Sequence, residues 1–138
     1  ECGGSSSELR WRCQRYEPVL DLNDISLALL VRHGDVRFLF TGDIESTAEE
    51  RLVASGLVEP VDVLKVAHHG SGTSSVSTFL RAVRPRWAVV SSGAGNRYGH
   101  PAGAVLRRLR RSGARVWRTD VEGGLVLWSD GVRLWTEP

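Results

Sequence analysis

The sequence predicts an α/β fold in which one sheet carries both parallel and antiparallel strands. Apolar runs of strand length alternate with helix-forming segments between residues 36 and 119, an order typical of parallel neighbouring strands. Gly-Asp at residues 34–35 and Asp-Gly at residues 130–131 indicate an antiparallel hairpin near either end. The chain has 138 residues, of which 41% are hydrophobic and 25% charged, as expected for one globular domain and not for a disordered chain.

The elements follow one another without an interior linker. Residues 1–8, rich in Gly and Ser, are predicted to be a flexible lead-in, and residues 9–138 a single domain. Valine, leucine and aromatic residues dominate the strand segments, whereas the first helix has apolar Ala48, Leu52 and Val53 and ends before Gly56. Pro101 occupies the favoured first position of the last long helix. Strands are predicted at residues 9–13, 26–32, 36–41, 61–66, 87–91, 115–119, 125–128 and 132–135, and helices at 45–55, 76–83 and 101–112.

Charge and cysteine content say little about function. The net charge is +2, and 17 of the 18 basic residues are arginine, which a GC-rich coding genome explains as well as a nucleic-acid partner does. Cys2 and Cys13 lack the spacing of a metal site. They form either one disulfide in an oxidising compartment or two free thiols. The first residue is Glu1, and we expect the chain to be a piece of a longer protein. The longest apolar run, residues 27–31, is too short for a membrane helix.

Chemistry-bearing residues follow the ends of the predicted parallel strands. Asp43, the pair His68 and His69, then His100 and Asp120 each come after such a strand, where open α/β sheets bind their ligands. Imidazole and carboxylate are the usual ligands of zinc or manganese. The alternatives are a helix cap for Asp43 and Asp120 and a backbone-bonded loop histidine for His100.

Two further segments have both a functional and a purely structural interpretation. The Gly/Ser-rich loop at residues 70–75 opens a helix, and its free N–H groups would suit a phosphate oxygen. Arg107 and Arg111 on the last long helix are candidates for contact with a DNA backbone, although the sequence favours a solvated helix face. The five tryptophans lie in strand patterns and are expected in the core.

Four segments, taken together and in order, resemble the metallo-β-lactamase-fold domain at the C-terminus of the ComEC family, the membrane channel proteins of bacterial DNA uptake. The resemblance runs from about Trp11 to Asp130. The segments are Asn-Asp-Ile-Ser-Leu at 23–27, Thr-Gly-Asp-Ile-Glu at 41–45, Asp-Val-Leu-Lys-Val-Ala-His-His-Gly-Ser at 62–71 and Asn-Arg-Tyr-Gly-His-Pro at 96–101.

This resemblance implies the C-terminal part of an αββα sandwich with a dinuclear site for a divalent metal, zinc or manganese. It implies hydrolysis of a single DNA strand during uptake, without a small-molecule cofactor. The membrane channel portion of the same parent chain would be the partner. The parent would lie in the bacterial cytoplasmic membrane, with this domain soluble on the extracytoplasmic side.

The same resemblance assigns residues to roles. Asp43 and His69 match metal ligands, His68 and His100 match catalytic positions, and the supporting positions are Asn23, Ser26 and Ser71. Enzymes of this fold take most of their metal ligands from an H-x-H-x-D-H or H-x-D-x-D-H motif, which is absent here. Two ligands are fewer than the three or four of a stable zinc site. We therefore expect an incomplete domain that is inactive as an isolated piece.

Overall fold

The computed structural model describes residues 21–136, and within them the chain forms an α/β fold with one mixed sheet. The predicted strand at 9–13, the lead-in at 1–8 and both cysteines lie outside the described residues. The strands are β1 (Leu29–His33), β2 (Val36–Phe40), β3 (Val63–Lys65), β4 (Trp87–Val90), β5 (Arg115–Arg118), β6 (Leu127–Ser129) and β7 (Leu134–Thr136); the helices are α1 (Ser46–Ala54), α2 (Ser77–Val83), α3 (Gly103–Arg111) and α4 (Thr119–Glu122).

The main sheet has five strands in the order β1-β2-β3-β4-β5, so chain order and spatial order coincide. β1 and β2 form an antiparallel hairpin, and β2 to β5 run parallel. β6 and β7 form a separate two-stranded antiparallel sheet. The prediction of a mixed sheet with hairpins near both ends is confirmed for the described residues. Several boundaries differ from the prediction: β1 begins at Leu29 and not at residue 26, β7 begins at Leu134 and not at residue 132, and the α4 helix was not predicted. α3 begins at Gly103 after an Ala102 cap, so Pro101 precedes the helix.

The helices cover one face of the sheet. Strand residues such as Leu39, Leu64 and Val90 share a buried core with α2 and α3, and Leu64 and Val90 have no exposed surface. On the opposite face Leu29 lies beside Phe40 in the β1–β2 register, and both are about half exposed, at 50% and 44%. No described helix is long and apolar enough to cross a membrane.

The tryptophans of the terminal hairpin are not core residues, which corrects the expectation from their strand pattern. Trp128 and Trp135 lie opposite each other in the β6–β7 register and are 47% and 46% exposed. Trp87 is half-buried, and the Arg115 guanidinium lies 4.3 Å above the centre of its ring. Strand alternation alone could not separate the two cases, because it does not say what covers each face of a strand.

Candidate histidine and aspartate site

The turn after β2 places Asp43 at the carboxyl end of the parallel strands. Thr41 is fully buried, and its hydroxyl donates to the Lys65 carbonyl at 2.8 Å. Gly42 has a φ of +56°, and a Cβ there would come within 2.9 Å of the Ser26 side chain. The Asp43 N–H donates to the Ser26 hydroxyl at 3.3 Å. Burial lowers the pKa of Lys65, and the charge of Asp43 opposes that effect.

The segment before β1 supports this turn. The Ser26 N–H donates to the Asn23 carbonyl at 3.0 Å, which closes a short 3-10 helix at Leu22–Ile25. The Asp24 carboxylate accepts from the Glu45 N–H at 2.7 Å. Asn23 acts through its backbone, and Ser26 acts through its hydroxyl. Both residues therefore lie where their predicted supporting roles need them.

His68 and His69 occupy a tight turn between β3 and α2. Their φ angles are +46° and +53°, in the left-handed region that residues with a Cβ seldom adopt. The His68 N–H donates to the Gly42 carbonyl at 3.1 Å, which joins this turn to the Asp43 turn. Backbone strain of this kind persists only where surrounding contacts enforce it.

His69 pairs with Asp43, as the predicted ligand set requires. Its Nδ1–H donates to the Ser91 carbonyl at 2.7 Å, and its Nε2 lies 3.8 Å from Asp43 Oδ1. Because Nδ1 holds the proton against a carbonyl, Nε2 is the nitrogen with the lone pair in the neutral ring. A backbone carbonyl on the far nitrogen is also the usual arrangement around a metal-binding histidine. Both side chains are about half exposed.

His68 points to a different partner, one that the sequence did not reveal. Its Nδ1–H donates to the Glu45 carboxylate at 3.1 Å. The ring centre of His68 lies 5.7 Å from that of His100 and 6.5 Å from that of His69. Glu45 follows Asp43 by two positions in the Thr-Gly-Asp-Ile-Glu segment, and that proximity was the only available signal. The four predicted catalytic and metal residues thus lie together.

His100 comes from the loop after β4. The Asn96 side chain holds this loop: it accepts from the His100 N–H at 3.0 Å and donates to the His100 carbonyl at 2.6 Å. The Tyr98 ring stacks on His100, with 6.1 Å between ring centres. Burial lowers the pKa of His100, and so do the nearby rings of His68 and His69.

At the end of the loop at residues 70–75, two N–H groups are already bound within the chain. The N–H groups of Ser75 and Val76, at the start of α2, donate to the two carboxylate oxygens of Glu49 at 2.6 and 2.8 Å. These two N–H groups are therefore not available to a phosphate, because an internal carboxylate already accepts from them. Phosphate binding by the rest of the loop stays a prediction. Ser71 is buried; its N–H donates to the His68 carbonyl, and its hydroxyl contacts that of Thr73.

Arg107 and Arg111 are exposed on α3, as a DNA-contacting role needs. Within residues 21–136 neither takes part in an ion pair. Asp120 forms an ion pair with Arg118 at 2.5 Å, and hydrogen bonding from that guanidinium lowers the pKa of Asp120. This pairing favours a structural role for Asp120.

The described residues do not by themselves fit a metal centre. Among residues 21–136 no group of three or more His, Cys, Asp and Glu side chains is arranged to hold a metal ion. Asp43 and His69 form a pair with a suitable chemistry, but zinc takes three or four protein ligands. Any centre that uses this pair needs ligands from outside the described range.

Comparison with known proteins finds relatives that match most of the chain. It is 45% identical over 107 residues to Competence protein ComA of Neisseria gonorrhoeae and 40% identical over 101 residues to ComE operon protein 3 of Bacillus subtilis. The chain is similar to bacterial competence proteins. A third relative is Recombination protein 2 of Haemophilus influenzae, 39% identical over 101 residues.

These matches cover 73–77% of the chain but only 13–16% of each competence protein. The chain therefore corresponds to a small part of its relatives. No family model matches the chain. No solved structure matches it either.

Proposed function

We propose that the chain is part of a metal-dependent hydrolase domain of the metallo-β-lactamase type that acts on DNA during competence uptake. Its substrate is a single DNA strand, and its partner is the membrane channel portion of the same parent protein. The parent lies in the bacterial cytoplasmic membrane and presents this domain on the extracytoplasmic side.

The convergence of Asp43, His68, His69 and His100 at one edge of the sheet carries this proposal. A cluster of imidazoles beside a carboxylate can transfer protons and bind ligands. A sheet edge with a purely structural role does not require such a cluster. The similarity to competence proteins supports DNA as the proposed substrate class.

The two histidines of the turn divide the work. His68 donates its Nδ1–H to Glu45, so its Nε2 is free to take or give a proton at a phosphate oxygen. Burial and its histidine neighbours favour the neutral form of His100 by lowering its pKa. A neutral His100 can accept a proton from the water that attacks phosphorus, while the bond from phosphorus to the leaving oxygen breaks and a protonated His68 supplies the proton that this oxygen takes up. Asp43 and His69 contribute two ligands, zinc or manganese being the metal class, to a centre completed from elsewhere.

The first experiment measures DNA cleavage by the 138-residue chain with added zinc or manganese. We expect weak metal binding and no turnover, because the described residues supply too few ligands. Robust cleavage that Asp43→Ala abolishes would support hydrolysis by this site and would contradict the expectation that the 138-residue chain is incomplete.

The second experiment places Asp43→Ala and His68→Ala in the parent protein and follows transformation and nucleotide release from the degraded strand. We expect loss of nucleotide release in both variants. Glu50→Ala, at an exposed position of α1, is the matched control and should keep the parental rate. Unchanged nucleotide release in the Asp43 and His68 variants would refute a hydrolytic role.

A second candidate function is a non-catalytic module that guides DNA, and the exposed arginines of α3 favour it. Arg107 and Arg111 point to solvent, whereas Arg108 on the same helix is bound to backbone carbonyls. Under this hypothesis, the affinity for single-stranded DNA falls steeply as the salt concentration rises and does not change when a metal chelator is added. Arg107→Ala and Arg111→Ala should each reduce the salt slope by about one. Arg81→Ala on α2 is the control.

A further inference from the structure

The segment between the histidine turn and α2, residues 71–76, is held by a charged side chain from α1. Glu49 has no exposed surface. One of its carboxylate oxygens accepts from the Ser75 N–H at 2.6 Å, and the other accepts from the Val76 N–H at 2.8 Å. Helix starts are usually capped by a neighbouring Ser, Thr, Asp or Asn, but here the cap comes from a different helix.

A second charged side chain holds the same segment from α3. Arg108 donates to the carbonyls of Ser75 at 2.8 Å, Ser74 at 2.7 Å and Gly72 at 3.2 Å. The backbone of Ser75 is therefore bound at both its N–H and its C=O. Ser75 has a φ of +57°, and its buried hydroxyl finds no partner in the described part of the chain. The contacts with Glu49 and Arg108 therefore enforce the backbone conformation of Ser75.

The held segment is in turn bonded to the histidine turn. The buried hydroxyl of Ser74 donates to the carbonyls of Ala67 and Ser71, each at 3.0 Å. The Ser71 N–H donates to the His68 carbonyl at 2.8 Å. A continuous path of hydrogen bonds thus leads from the two charged side chains to the backbone on either side of the imidazoles.

We propose that Glu49 and Arg108 are positioning residues that fix the left-handed backbone of His68 and His69. Two successive left-handed residues with side chains are unfavourable and need enforcement. A local cap would stabilise α2 alone, whereas this pair ties α1 and α3 to the turn. The inference concerns the histidines on which the proposed function rests, but it is a statement about their geometry and needs no substrate.

The test is nuclear magnetic resonance of the histidine ring nitrogens in the 138-residue chain, without metal or DNA. The unsubstituted 138-residue chain should give an Nδ1-protonated signature for His68 and His69, because both nitrogens donate to oxygen acceptors. Glu49→Gln places an amide N–H₂ against backbone N–H donors, and Arg108→Gln removes the three carbonyl contacts. We expect both variants to lose the signature and to give mixed tautomers. Glu50→Gln and Arg111→Gln, exposed on the same helices, should keep it.

Unchanged histidine signatures in folded Glu49→Gln and Arg108→Gln chains would overturn the inference, even if the Ser75 and Val76 amide signals move. If Glu49→Gln does not fold, Arg108→Lys decides. Lysine keeps the charge but lacks the planar fork that bridges several carbonyls, so the signature should still change; an unchanged one refutes positioning. Because no substrate is present, failure of the hydrolase proposal leaves this result readable.

Discussion

The two loops that bring histidines to the site are held in different ways. The loop with His68 and His69 is largely buried, and side chains from α1 and α3 bind its backbone. The loop with His100, residues 91–100, is mostly exposed; Asn96 bonds to the backbone of His100, and the Thr119 hydroxyl bonds to both backbone groups of Ser92 near the other end. The first loop tolerates strain at three residues with side chains, whereas positive φ angles in the second occur at Gly95 and Gly99.

This difference indicates separate tasks for the two loops. A loop whose backbone polar groups are bound by side chains from two packed helices opens rarely, so its imidazoles keep one geometry. An exposed loop with few internal bonds opens at a lower free energy. We therefore call the loop with His68 and His69 the preset loop, because its imidazoles keep their geometry without a ligand. The loop with His100 is the adjustable loop, because it can move to contact a ligand between the two loops.

Gly70→Ala should have the largest effect on the free energy of unfolding, because Gly70 lies where the two loops are in contact. Gly70 has a φ of +81°, and a Cβ there would come within 2.6 Å of the Pro101 Cβ. We expect a loss of about 3 kcal/mol or more in the free energy of unfolding, measured with denaturant. The control is Gly56→Ala, at φ +68° with nothing within 4 Å, which should cost only about 1 kcal/mol. Equal losses for the two variants would contradict a close contact between the loops.

The second prediction tests the buried carboxylate of the preset loop. Burial raises the pKa of Glu49 from 4.5 to about 7, against the opposing effects of the Val76 and Ser75 N–H groups and of Arg108. The folded chain thus binds this proton more tightly than the unfolded chain. Folding takes up a proton between these two pH values, so the free energy of unfolding should fall as pH rises from 4.5 through 7. The loss should reach about 3 kcal/mol.

Glu49→Gln has no such proton. The difference in unfolding free energy between this variant and the unsubstituted chain therefore isolates the pH dependence that Glu49 contributes. Glu50→Gln serves as the control, because Glu50 is exposed on the same helix. Chemical denaturation at several pH values from 4.5 to 8 provides the measurement. A difference that does not vary with pH would show that Glu49 titrates like a solvated carboxyl group.

Asn96→Ala should loosen the adjustable loop with a modest cost to the fold. It removes hydrogen bonds to the backbone of Gly93 and to both backbone groups of His100, worth about 1–2 kcal/mol together after exchange with water. Hydrogen exchange of the amides at 93–100 should accelerate, whereas that of the amides at 67–76 should not. Asn96→Asp keeps the acceptor for the His100 N–H and should have an intermediate effect. Uniform acceleration in both loops would remove the distinction between them.

Ser75→Gly should have the smallest effect and the opposite sign. Ser75 combines a φ of +57° with a buried hydroxyl that lacks a partner among the described residues. Glycine relieves both penalties but loses more backbone entropy on folding, so we expect a net stabilisation of about 0.5–1 kcal/mol. Thr78→Gly, within α2 and exposed, should instead destabilise by about 0.3 kcal/mol. Destabilisation by Ser75→Gly would mean that the hydroxyl has an unrecognised role.

The fold was predictable where the sequence pattern is local. Runs such as Phe38–Phe40 and Val63–Lys65 are bounded by turn residues, and their strand assignment is confirmed. The proximity of Asp43 to His69 followed from a general property of parallel sheets, whose strands end at a common edge. The assignment of metal and catalytic roles to these residues stays a prediction.

The contacts that hold the site were not predictable in the same way. Glu49 meets Ser75 across 26 positions of sequence, and Arg108 meets it across 33. A helix pattern shows that Glu49 lies on α1 but not that it points inward, because a buried carboxylate contradicts the usual solvent-facing preference. For this reason the sequence did not predict that Glu49 binds the Ser75 and Val76 N–H groups.

One contact of the site uses a backbone atom and therefore does not depend on the identity of the side chain at that position. The Nδ1 proton of His69 is held by the carbonyl of residue 91, an atom that every amino acid has. Substitutions at Ser91 that leave the strand end in place can therefore accumulate during evolution without changing which nitrogen of His69 faces Asp43. A comparison of sequences would find position 91 free to vary, although the orientation of the imidazole depends on it.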